Sequence, residues 1–342
     1  MAALAVLNGL ALRPHIKSHK SVEIARRQMA LGAVGITTAK LSEAEVMARG
    51  GLRNLFVCYP LIGNVKLTRL RDLHREAQVM TVVDSEQGAR GLSRVFAGEE
   101  RPLDLLLKID VGMHRVGVMI EEASKLADMV AALPGLRLLG VCIHEGGVYR
   151  EPDPARRGAI AVTQTETLVS VAKDLRAQGH QMQIISTGST PGARAASGVA
   201  GLTEMRPGNY VFYDNIQVSL GVTNLDHCAL SVVTTVVSLA STMRGVLDAG
   251  SKALSLDRGA HGTNITSGYG VVRGRPGILI EKLSEEHGWL RVEAAERLWI
   301  GEVLDVIPNH ACPVANNFEW AAVTKGDQVI DRWRIDARGC MT

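Results

Sequence analysis

The sequence lacks the features that mark several classes of protein. Its formal net charge is only +3, from 38 basic and 35 acidic side chains, which is too small to indicate a nucleic-acid partner. Aromatic residues make up 4% of the chain, and there is no arginine-rich stripe or aromatic platform on which bases could stack. Nucleic-acid binding is therefore not expected.

Cysteine is scarce, and its pattern does not indicate a disulfide framework. The chain has five cysteines, which is an odd number, and no two of them form a C-x-x-C pair. They lie far apart in the sequence, at Cys58, Cys142, Cys228, Cys312 and Cys340. This distribution predicts reduced thiols and a cytoplasmic protein.

Targeting, membrane and nucleotide-binding signals are missing as well. The apolar start, residues 2–12, has no basic segment before it and is too short to span a bilayer. Neither export nor a membrane partner is therefore expected. No G-x-x-x-x-G-K-[ST] motif is present, and no G-x-G-x-x-G motif follows a candidate strand. Nucleotide binding has little support for that reason.

The chain does contain a regular alternation of short apolar strands and amphipathic helices. Its 342 residues, 46% of them hydrophobic, can bury one large core or two ordinary ones. Eight candidate strands come first, at residues 10–17, 34–38, 55–59, 79–84, 104–110, 137–144, 182–188 and 202–206. Together with the helices between them they predict an α/β fold, a (β/α)8 TIM-type barrel over residues 1–215. A doubly wound open sheet is the competing fold.

The composition and pattern of the sequence change after about residue 225. Ala229 to Leu239 is dense in β-branched residues, and glycine-bearing turns interrupt the later short strands. No long amphipathic helix lies between these strands. The pattern predicts a C-terminal, mostly β domain over residues 216–342.

A basic motif, Arg13-Pro14-His15-Ile16-Lys17-Ser18-His19-Lys20, follows the first apolar run. Pro14 disfavours helix at Arg13, so we predict a strand from Leu10 to Lys17 whose C-terminal end presents Lys17. A desolvated lysine crowded by other cations has a lowered pKa and can act as a nucleophilic amine that forms a Schiff base. A solvated basic turn is the alternative for this stretch taken alone.

Polar residues end seven of the eight candidate strands. Active sites of barrels lie at the C-terminal ends of the strands, where loops bring such residues together. The strand ends are Lys17, Thr38, Asp84, Asp110, His144, Thr187 and Arg206. Each of them alone could be structural or solvated, but together they indicate a site at this end of the barrel.

Two glycine-bearing turns follow the last two strands. They are Ser186-Thr187-Gly188-Ser189-Thr190-Pro191 and Arg206-Pro207-Gly208-Asn209-Tyr210. Barrels commonly bind phosphate in the loops after strands seven and eight, through backbone N–H groups that glycine lets approach closely. A phosphorylated cofactor would suit both turns, although each could also be an ordinary turn.

The C-terminal domain contains a candidate metal pair, His310 and Cys312. If these residues lie on a strand, their side chains share a face about 7 Å apart and can reach one metal ion. His287 could join them, but no spacing requires it. A buried histidine beside an inert cysteine is the alternative.

Several of these motifs, in this order, resemble the D-threonine aldolase / D-serine dehydratase family, which comprises pyridoxal 5'-phosphate enzymes of alanine racemase-like fold. The resemblance rests on residues 13–20, Gly188 to Pro191, Arg206 to Tyr210 with Tyr213, Asp248 to Gly250, Glu286 to Gly288 and Pro308 to Cys312. Lys108 to Gly117 is also similar to a strand motif of alanine racemases. Family members usually begin with a further strand and most of a helix, so the barrel is expected to lack the family's first strand.

The resemblance implies a role for each matching residue. Lys17 would carry pyridoxal phosphate covalently, Arg206 would sit on its pyridine nitrogen, Arg115 near its phenolic oxygen and His144 against its ring. Its phosphate would be bound by Gly188, Ser189, Thr190, Gly208, Asn209 and Tyr213. His310 and Cys312 would hold a divalent metal, zinc or manganese with magnesium as a further possibility, near the β-hydroxyl of the substrate.

The same resemblance implies a lyase that acts on D-3-hydroxy amino acids, in a homodimer whose neighbouring subunits complete the active sites. Dehydration of a D-serine-like substrate to a 2-oxo acid and ammonia is favoured, because aldolases of the family often have His-x-Asp where this chain has His310-x-Cys312. Retro-aldol cleavage to glycine and an aldehyde is the first alternative. An amino-acid racemase is the second, although Leu247 to Gly262 contains no tyrosine to serve as its second acid/base. A non-catalytic pyridoxal phosphate-binding protein is a further alternative. Such proteins are typically a lone barrel, so the C-terminal β domain with its candidate metal pair argues against it.

Overall fold

The computed structural model describes residues 1–342 and contains the predicted barrel. Eight strands form one parallel sheet: β1 (Ala11–Leu12), β2 (Ile36–Thr38), β3 (Asn54–Val57), β4 (Gln78–Val83), β5 (Leu103–Lys108), β6 (Leu136–Cys142), β7 (Ile184–Thr187) and β8 (Glu204–Met205). Their order is β1-β8-β7-β6-β5-β4-β3-β2, and a bridge between His15 and Thr37 joins the two edges of this curled sheet. A doubly wound sheet would not place the first strand beside the eighth, so that alternative is wrong.

Helices connect the strands, as a parallel sheet requires. They are α1 (Ala2–Leu7), α2 (Val22–Ala30), α3 (Leu41–Arg49), α4 (Asn64–Glu76), α5 (Glu86–Phe96), α6 (Ala123–Ala131), α7 (Pro154–Ala177) and α8 (Ala193–Ala196). In α5, Ser85 caps the N-terminus by accepting from the Gly88 N–H, and Ala89, Leu92 and Phe96 form the buried face. No helix of the chain is both long enough and apolar enough to cross a bilayer.

One predicted strand is shorter than expected. The strand predicted from residue 10 to residue 17 ends at Leu12, and Lys17 lies in a short 3₁₀ turn, Ile16–Ser18. Pro14 has no N–H with which to continue the ladder, and the His15 ring nitrogen Nδ1 accepts from the Lys17 N–H at 3.4 Å. The proline and this cap together turn the chain at the C-terminal end of the barrel.

A buried ion pair ties the first strand to the last. Arg13 Nε donates to Glu204 Oε2 at 2.7 Å, and both side chains are almost fully buried. Arg13 Nη1 also donates to Asn54 Oδ1, and the Ser186 hydroxyl donates to the other Glu204 oxygen, each at 2.7 Å. The pair and its two supporting bonds therefore form a satisfied polar network inside the barrel unit.

We expect Glu204→Ala to destabilise the protein by about 3–5 kcal/mol, because it leaves the Arg13 charge buried without its partner. Urea denaturation followed by circular dichroism measures this change. The matched control is Glu23→Ala, which removes an exposed i,i+4 pair with Arg27 and should cost about 0.5 kcal/mol or less. Equal losses for the two variants would contradict a structural role for the buried pair.

The second part of the chain is mostly β, as predicted. Six strands form a closed antiparallel barrel: β9 (Val232–Ser241), β10 (Arg244–Leu247), β11 (Val271–Val272), β12 (Ile278–Leu283), β13 (Gly288–Val292) and β14 (Val303–Ile307). Alternate residues of β9, such as Val232 and Val236, are buried with Leu247, Ile280 and Leu290. A separate hairpin follows, β15 (Trp320–Lys325) and β16 (Gln328–Arg334). The short helices of this part are α9 (Asn215–Ser219), α10 (Ser251–Leu254) and α11 (Ala311–Asn317).

The chain divides into two compact units. The first contains residues 1–148, 155–208 and 340–342, and the second contains residues 149–154 and 209–339. The domain limits predicted above, 1–215 and 216–342, stay a prediction.

Candidate active site

The two lysines of the basic motif have different surroundings. The Lys17 side chain is exposed within its 3₁₀ turn. Lys20 is buried, and its Nζ lies 3.1 Å from Glu43 Oε1 and donates to the Cys340 carbonyl at 3.0 Å. The Lys20 amine is thus held by partners within the barrel unit. Lys17 is the lysine of this motif whose amine is accessible to a ligand.

Cations gather around Lys17 at the C-terminal end of the barrel. Burial, followed by the charges of Lys17 and Arg206, holds the pKa of His15 well below its usual value. Burial and the charges of Lys17, Lys108 and Arg115 do the same for His144. Both imidazoles are consequently neutral near pH 7. The site as a whole favours an anionic ligand, such as a phosphate or a carboxylate.

His19 is the third histidine here with a lowered pKa, and it contributes to the pH dependence of stability. Burial lowers its pKa to about 4, against the partial compensation of its bonds to Gln28 and the Ser21 N–H. Below its unfolded pKa of about 6.5 the unfolded chain binds more protons than the folded chain.

The His19 contribution should therefore be complete above about pH 6.5 and lost as the pH falls toward about 4, by roughly 3 kcal/mol. We expect the free energy of unfolding of the wild type to fall more steeply over this window than that of His19→Asn. Denaturation curves at a series of pH values test this. If the free energy of unfolding changed equally with pH in the two proteins, the pKa of His19 would be the same in the folded and unfolded chain.

Arg206 begins the loop after β8 and points into the barrel. It is 4% exposed, and its Nε donates to the Ser186 hydroxyl at 2.7 Å while its Nη2 donates to the Ile143 carbonyl at 2.7 Å. Its Nη1 donates to Cys58 Sγ at 3.3 Å. A hydrogen bond from Cys142, together with Arg206 and Lys108, holds the pKa of Cys58 well below its usual range. Arg206 Nη2 also donates to the Ser186 carbonyl at 3.3 Å, so the guanidinium is fixed in place and one of its five N–H donors remains for a ligand atom.

The predicted phosphate turns contain closely packed glycines and buried hydroxyls. A Cβ at Gly188 would lie 2.8 Å from the Arg206 carbonyl oxygen, and a Cβ at Gly208 would lie 2.7 Å from the His15 carbonyl oxygen. Ser189 and Thr190 are 3% and 4% exposed. The Thr187 hydroxyl is also buried, and its hydrogen bond to Glu145 acts to lower the pKa of that carboxyl. Glycines without room for a Cβ let the backbone approach a phosphate closely, so these residues of the barrel unit fit the phosphorylated cofactor predicted above.

Glu145 is a part of this region that the sequence did not reveal. Its Oε2 accepts from the Gly188 N–H at 2.9 Å, while His144 Nδ1 lies 2.7 Å from the Gly188 carbonyl oxygen. Burial raises the pKa of Glu145. Two consecutive side chains after β6 thereby hold the peptide groups of Gly188. No motif marks this role, because the partners are 43 and 44 residues apart in sequence.

The other predicted phosphate ligands, Asn209 and Tyr213, belong to the second unit. Asn209 starts a 3₁₀ turn and Tyr213 has a left-handed backbone, with φ of 53°. The Asn209 carbonyl accepts from the Tyr213 N–H at 2.8 Å, and its side-chain nitrogen Nδ2 donates to Asp214 Oδ2 at 2.6 Å. Asp214 therefore fixes the turn that contains both predicted ligands.

Asp214 also holds the segment that contains the candidate metal pair. Its Oδ2 accepts from the Ala311 N–H at 2.9 Å, at the start of α11. Next to it, the Asn215 N–H donates to the Pro308 carbonyl at 3.1 Å, and Asn215 Nδ2 donates to Asn309 Oδ1 at 2.8 Å. The segment before His310 is thus bound to the start of α9 within one unit.

His310 and Cys312 do not lie on a strand, contrary to the prediction. β14 ends at Ile307, His310 is the N-cap of α11, and Cys312 is in the first turn of that helix. Pro313 explains this, since proline is tolerated in a first helical turn but interrupts a strand. The two side chains still meet: Cys312 and Asp257 outweigh burial and raise the pKa of His310 to about 10. His310 Nδ1 lies 2.6 Å from Asp257 Oδ2.

A metal held by this pair would have only two protein ligands. No three His, Cys, Asp or Glu side chains of the chain converge in a preformed metal-binding group. His287, suggested as a third ligand, lies 3.4 Å from the Ser284 hydroxyl through Nδ1. Imidazole and thiolate suit zinc, and two protein ligands leave positions open for water and substrate. The donor set therefore fits a catalytic rather than a structural metal.

Comparison with known proteins identifies the family. Residues 3–215 match the family described as "Alanine racemase, N-terminal domain", and residues 229–324 match the "Putative serine dehydratase domain". D-threo-3-hydroxyaspartate dehydratase from Delftia sp. (strain HT23) is 33% identical over 95% of this chain and 90% of its own length. The chain belongs to the D-threonine aldolase / D-serine dehydratase family. D-threonine aldolase from Arthrobacter sp. is also 33% identical, over 99% of this chain and 88% of its own.

Solved structures of this family agree with the fold. The crystal structure of D-threonine aldolase from Filomicrobium marinum superposes with a TM-score of 0.90 at 32% identity, covering 100% of this chain and 92% of that one. A cysteine-to-alanine mutant of the D-threo-3-hydroxyaspartate dehydratase, in the metal-free form, gives 0.89 at 31% identity, covering 97% and 92%. The predicted family, the alanine racemase-like fold and the class of lyases are thereby confirmed.

Proposed function

We propose that this family member is a lyase, dependent on pyridoxal phosphate and a divalent metal, that dehydrates D-3-hydroxy amino acids. A D-serine-like substrate would give a 2-oxo acid and ammonia. The observation that carries the choice of dehydration is the contact between His310 and Cys312 at the start of α11. A cysteine in that position distinguishes the chain from aldolases with His-x-Asp.

The cofactor would be held by the residues that the sequence singled out. Lys17 would bind it covalently through its exposed amine, and Arg206 would face its ring nitrogen. Arg115 would lie near its phenolic oxygen and His144 against its ring. The phosphate would be bound by Gly188, Ser189, Thr190, Gly208, Asn209 and Tyr213. When bound, pyridoxal phosphate supplies an electron sink for the carbanion formed at the substrate's α-carbon.

The chain's own residues would position the substrate and move protons. Once the substrate's amine has replaced it on the cofactor, the freed Lys17 amine would act as the general base that takes the α-proton. The cations Lys108 and Arg115 would attract the substrate carboxylate, and the lowered pKa values of His15 and His144 keep these imidazoles from adding charge near pH 7. Arg206 is held by three groups of the barrel, so it would not need to reorganise during the reaction.

The metal would be zinc or manganese, with magnesium as a further alternative, bound by His310 and Cys312. Cys312 favours a soft or borderline ion, whereas magnesium prefers oxygen ligands. Bound there, the ion supplies Lewis-acid polarisation of the substrate's β-hydroxyl. Among structures of D-threo-3-hydroxyaspartate dehydratase, one has a histidine replaced by alanine and another has a cysteine two positions later replaced by alanine. That spacing is the same as in His310-x-Cys312.

Incubation with D-serine, D-threonine and D-3-hydroxyaspartate tests the reaction type. Each product class is assayed separately: 2-oxo acid, ammonia, glycine and aldehyde. We expect 2-oxo acid and ammonia in equal amounts from D-isomers and no conversion of L-isomers. Glycine with an aldehyde would overturn dehydration in favour of retro-aldol cleavage. Interconversion of D- and L-alanine without other products would mean a racemase.

The aldolase reaction is the second candidate, because the aldolase from Arthrobacter is as similar to this chain as the Delftia dehydratase, at 33% identity. A racemase has less support. Residues 229–324 match the serine dehydratase domain, and the loop after β10 has no tyrosine between Leu247 and Gly262.

We also propose that the protein is a cytoplasmic homodimer. None of the five cysteines forms a disulfide in the structure, which suits a reducing compartment. Several large apolar side chains are exposed on the second unit, among them Val233 at 72%, Trp299 at 61% and Val303 at 63%. Such residues are often covered by a second subunit. Light scattering after gel filtration should give twice the monomer mass.

A further inference from the structure

Asp257 contacts His310 but was singled out by no motif. Its Oδ2 lies 2.6 Å from His310 Nδ1, in a loop between α10 and β11. The other ring nitrogen, Nε2, would then be the atom that binds a metal. A histidine ligand normally donates its second ring N–H to a carboxylate or carbonyl, which fixes the tautomer and the direction of the ring.

The loop holds Asp257 in a defined place. Ser255 has a left-handed backbone, with φ of 68°, and its hydroxyl accepts from the Asp257 N–H at 3.1 Å. Asn309 Nδ2 donates to the Asp257 carbonyl at 3.0 Å and to the Gly268 carbonyl at 2.9 Å. Asn309 is 1% exposed and directly precedes His310. The buried side-chain amide of Asn309 therefore fixes the backbone of Asp257 next to His310, the proposed metal ligand.

We propose that Asp257 is a positioning residue for the metal site: it accepts the His310 Nδ1–H and thereby presents Nε2 to the ion. This inference rests on the metal site of the proposed function. Two other roles are possible for a carboxylate in this place. It could itself bind the ion, or it could form a surface ion pair of little consequence, since the Asp257 side chain is 46% exposed.

Two substitutions separate these roles. Asp257→Ala removes the acceptor. Asp257→Asn keeps an oxygen that can accept from Nδ1–H but removes the charge. The matched control is Asp226→Ala, which replaces an exposed aspartate in a short 3₁₀ turn of the same unit. His310→Ala gives the zinc affinity expected of a protein that lacks the proposed metal site. Circular dichroism and thermal denaturation confirm that each variant is folded.

The measurement is zinc affinity, independent of turnover. Full-length protein carrying pyridoxal phosphate is stripped of metal and titrated with zinc against a chromophoric chelator. We expect Asp257→Ala to raise the zinc dissociation constant about 10–100-fold. Asp257→Asn should recover most of this loss, and Asp226→Ala should match the wild type. The recovery by asparagine is the result that a general structural defect would not give.

Three results would overturn the inference, and they can be told apart. Wild-type affinity in Asp257→Ala would make the contact a surface ion pair. A loss in Asp257→Asn as large as that in His310→Ala would make Asp257 a ligand rather than a positioning residue. If the wild type bound zinc no more tightly than His310→Ala, the proposed metal site would be wrong, and so would the role of Asp257 in it.

Discussion

Lys17→Ala should abolish turnover, with a loss of about 10³-fold or more, and should remove the visible absorbance of the bound cofactor. The reason is that one side chain both attaches the cofactor and takes the α-proton in the proposed reaction. Because Lys17 is exposed in a 3₁₀ turn and is not part of a core, its removal should leave the fold intact. Steady-state assays and absorbance spectra of the purified variant measure both effects.

Lys125→Ala is the matched control for this substitution. Its side chain is 83% exposed on the barrel unit, far in sequence from the basic motif, so activity and absorbance should not change. Lys20→Ala is a less suitable control, because it breaks a buried ion pair with Glu43 and should reduce stability. A Lys17→Ala protein that keeps its absorbance band and turns over D-serine at the wild-type rate would contradict the assignment.

Removal of the metal should also cause a large loss of turnover. We expect exhaustive chelation, or His310→Ala, to reduce turnover by roughly 10³-fold, because Lewis-acid polarisation is worth several kcal/mol at the transition state. The cofactor band should persist, since none of the predicted pyridoxal phosphate ligands is also a proposed metal ligand. Activity assays, absorbance spectra and elemental analysis of the same sample test this.

Cys312→Ala and Cys312→Asp refine the metal prediction. The alanine variant should need more zinc for half-activity, but less than His310→Ala would. The aspartate variant replaces a soft ligand with a hard one and should shift the preference from zinc toward manganese or magnesium. Full activity in protein shown to be metal-free would mean that His310 and Cys312 are ordinary structural residues.

Much of the barrel could be predicted because its signals are local. Apolar runs such as Leu103–Lys108 are buried on both faces, as strands of a parallel sheet are, and amphipathic segments such as Glu86–Phe96 fall between them. The polar residues after the strands predicted that Lys17, His144 and Arg206 lie close together, because the C-terminal ends of all the parallel strands are at the same end of the barrel. The pKa values of His15 and His144 respond to these neighbouring charges.

The site residues that were missed depend on contacts between distant parts of the chain. Glu145 holds Gly188, Asp214 holds the start of α11, and Asp257 contacts His310, over 43, 97 and 53 residues respectively. No local pattern encodes such a partner. The strand predicted at His310 and Cys312 is wrong for a local reason, since Pro313 is compatible with a first helical turn but interrupts a strand.

Reduction with borohydride followed by peptide mapping tests whether Lys17 carries the cofactor. Borohydride converts the bond between cofactor and lysine into a stable secondary amine, so that the modified residue can be read from the mass of its peptide. We expect the adduct to lie on Lys17. An adduct on the ion-paired Lys20, on Lys108 at the end of β5, or on no lysine at all would contradict it.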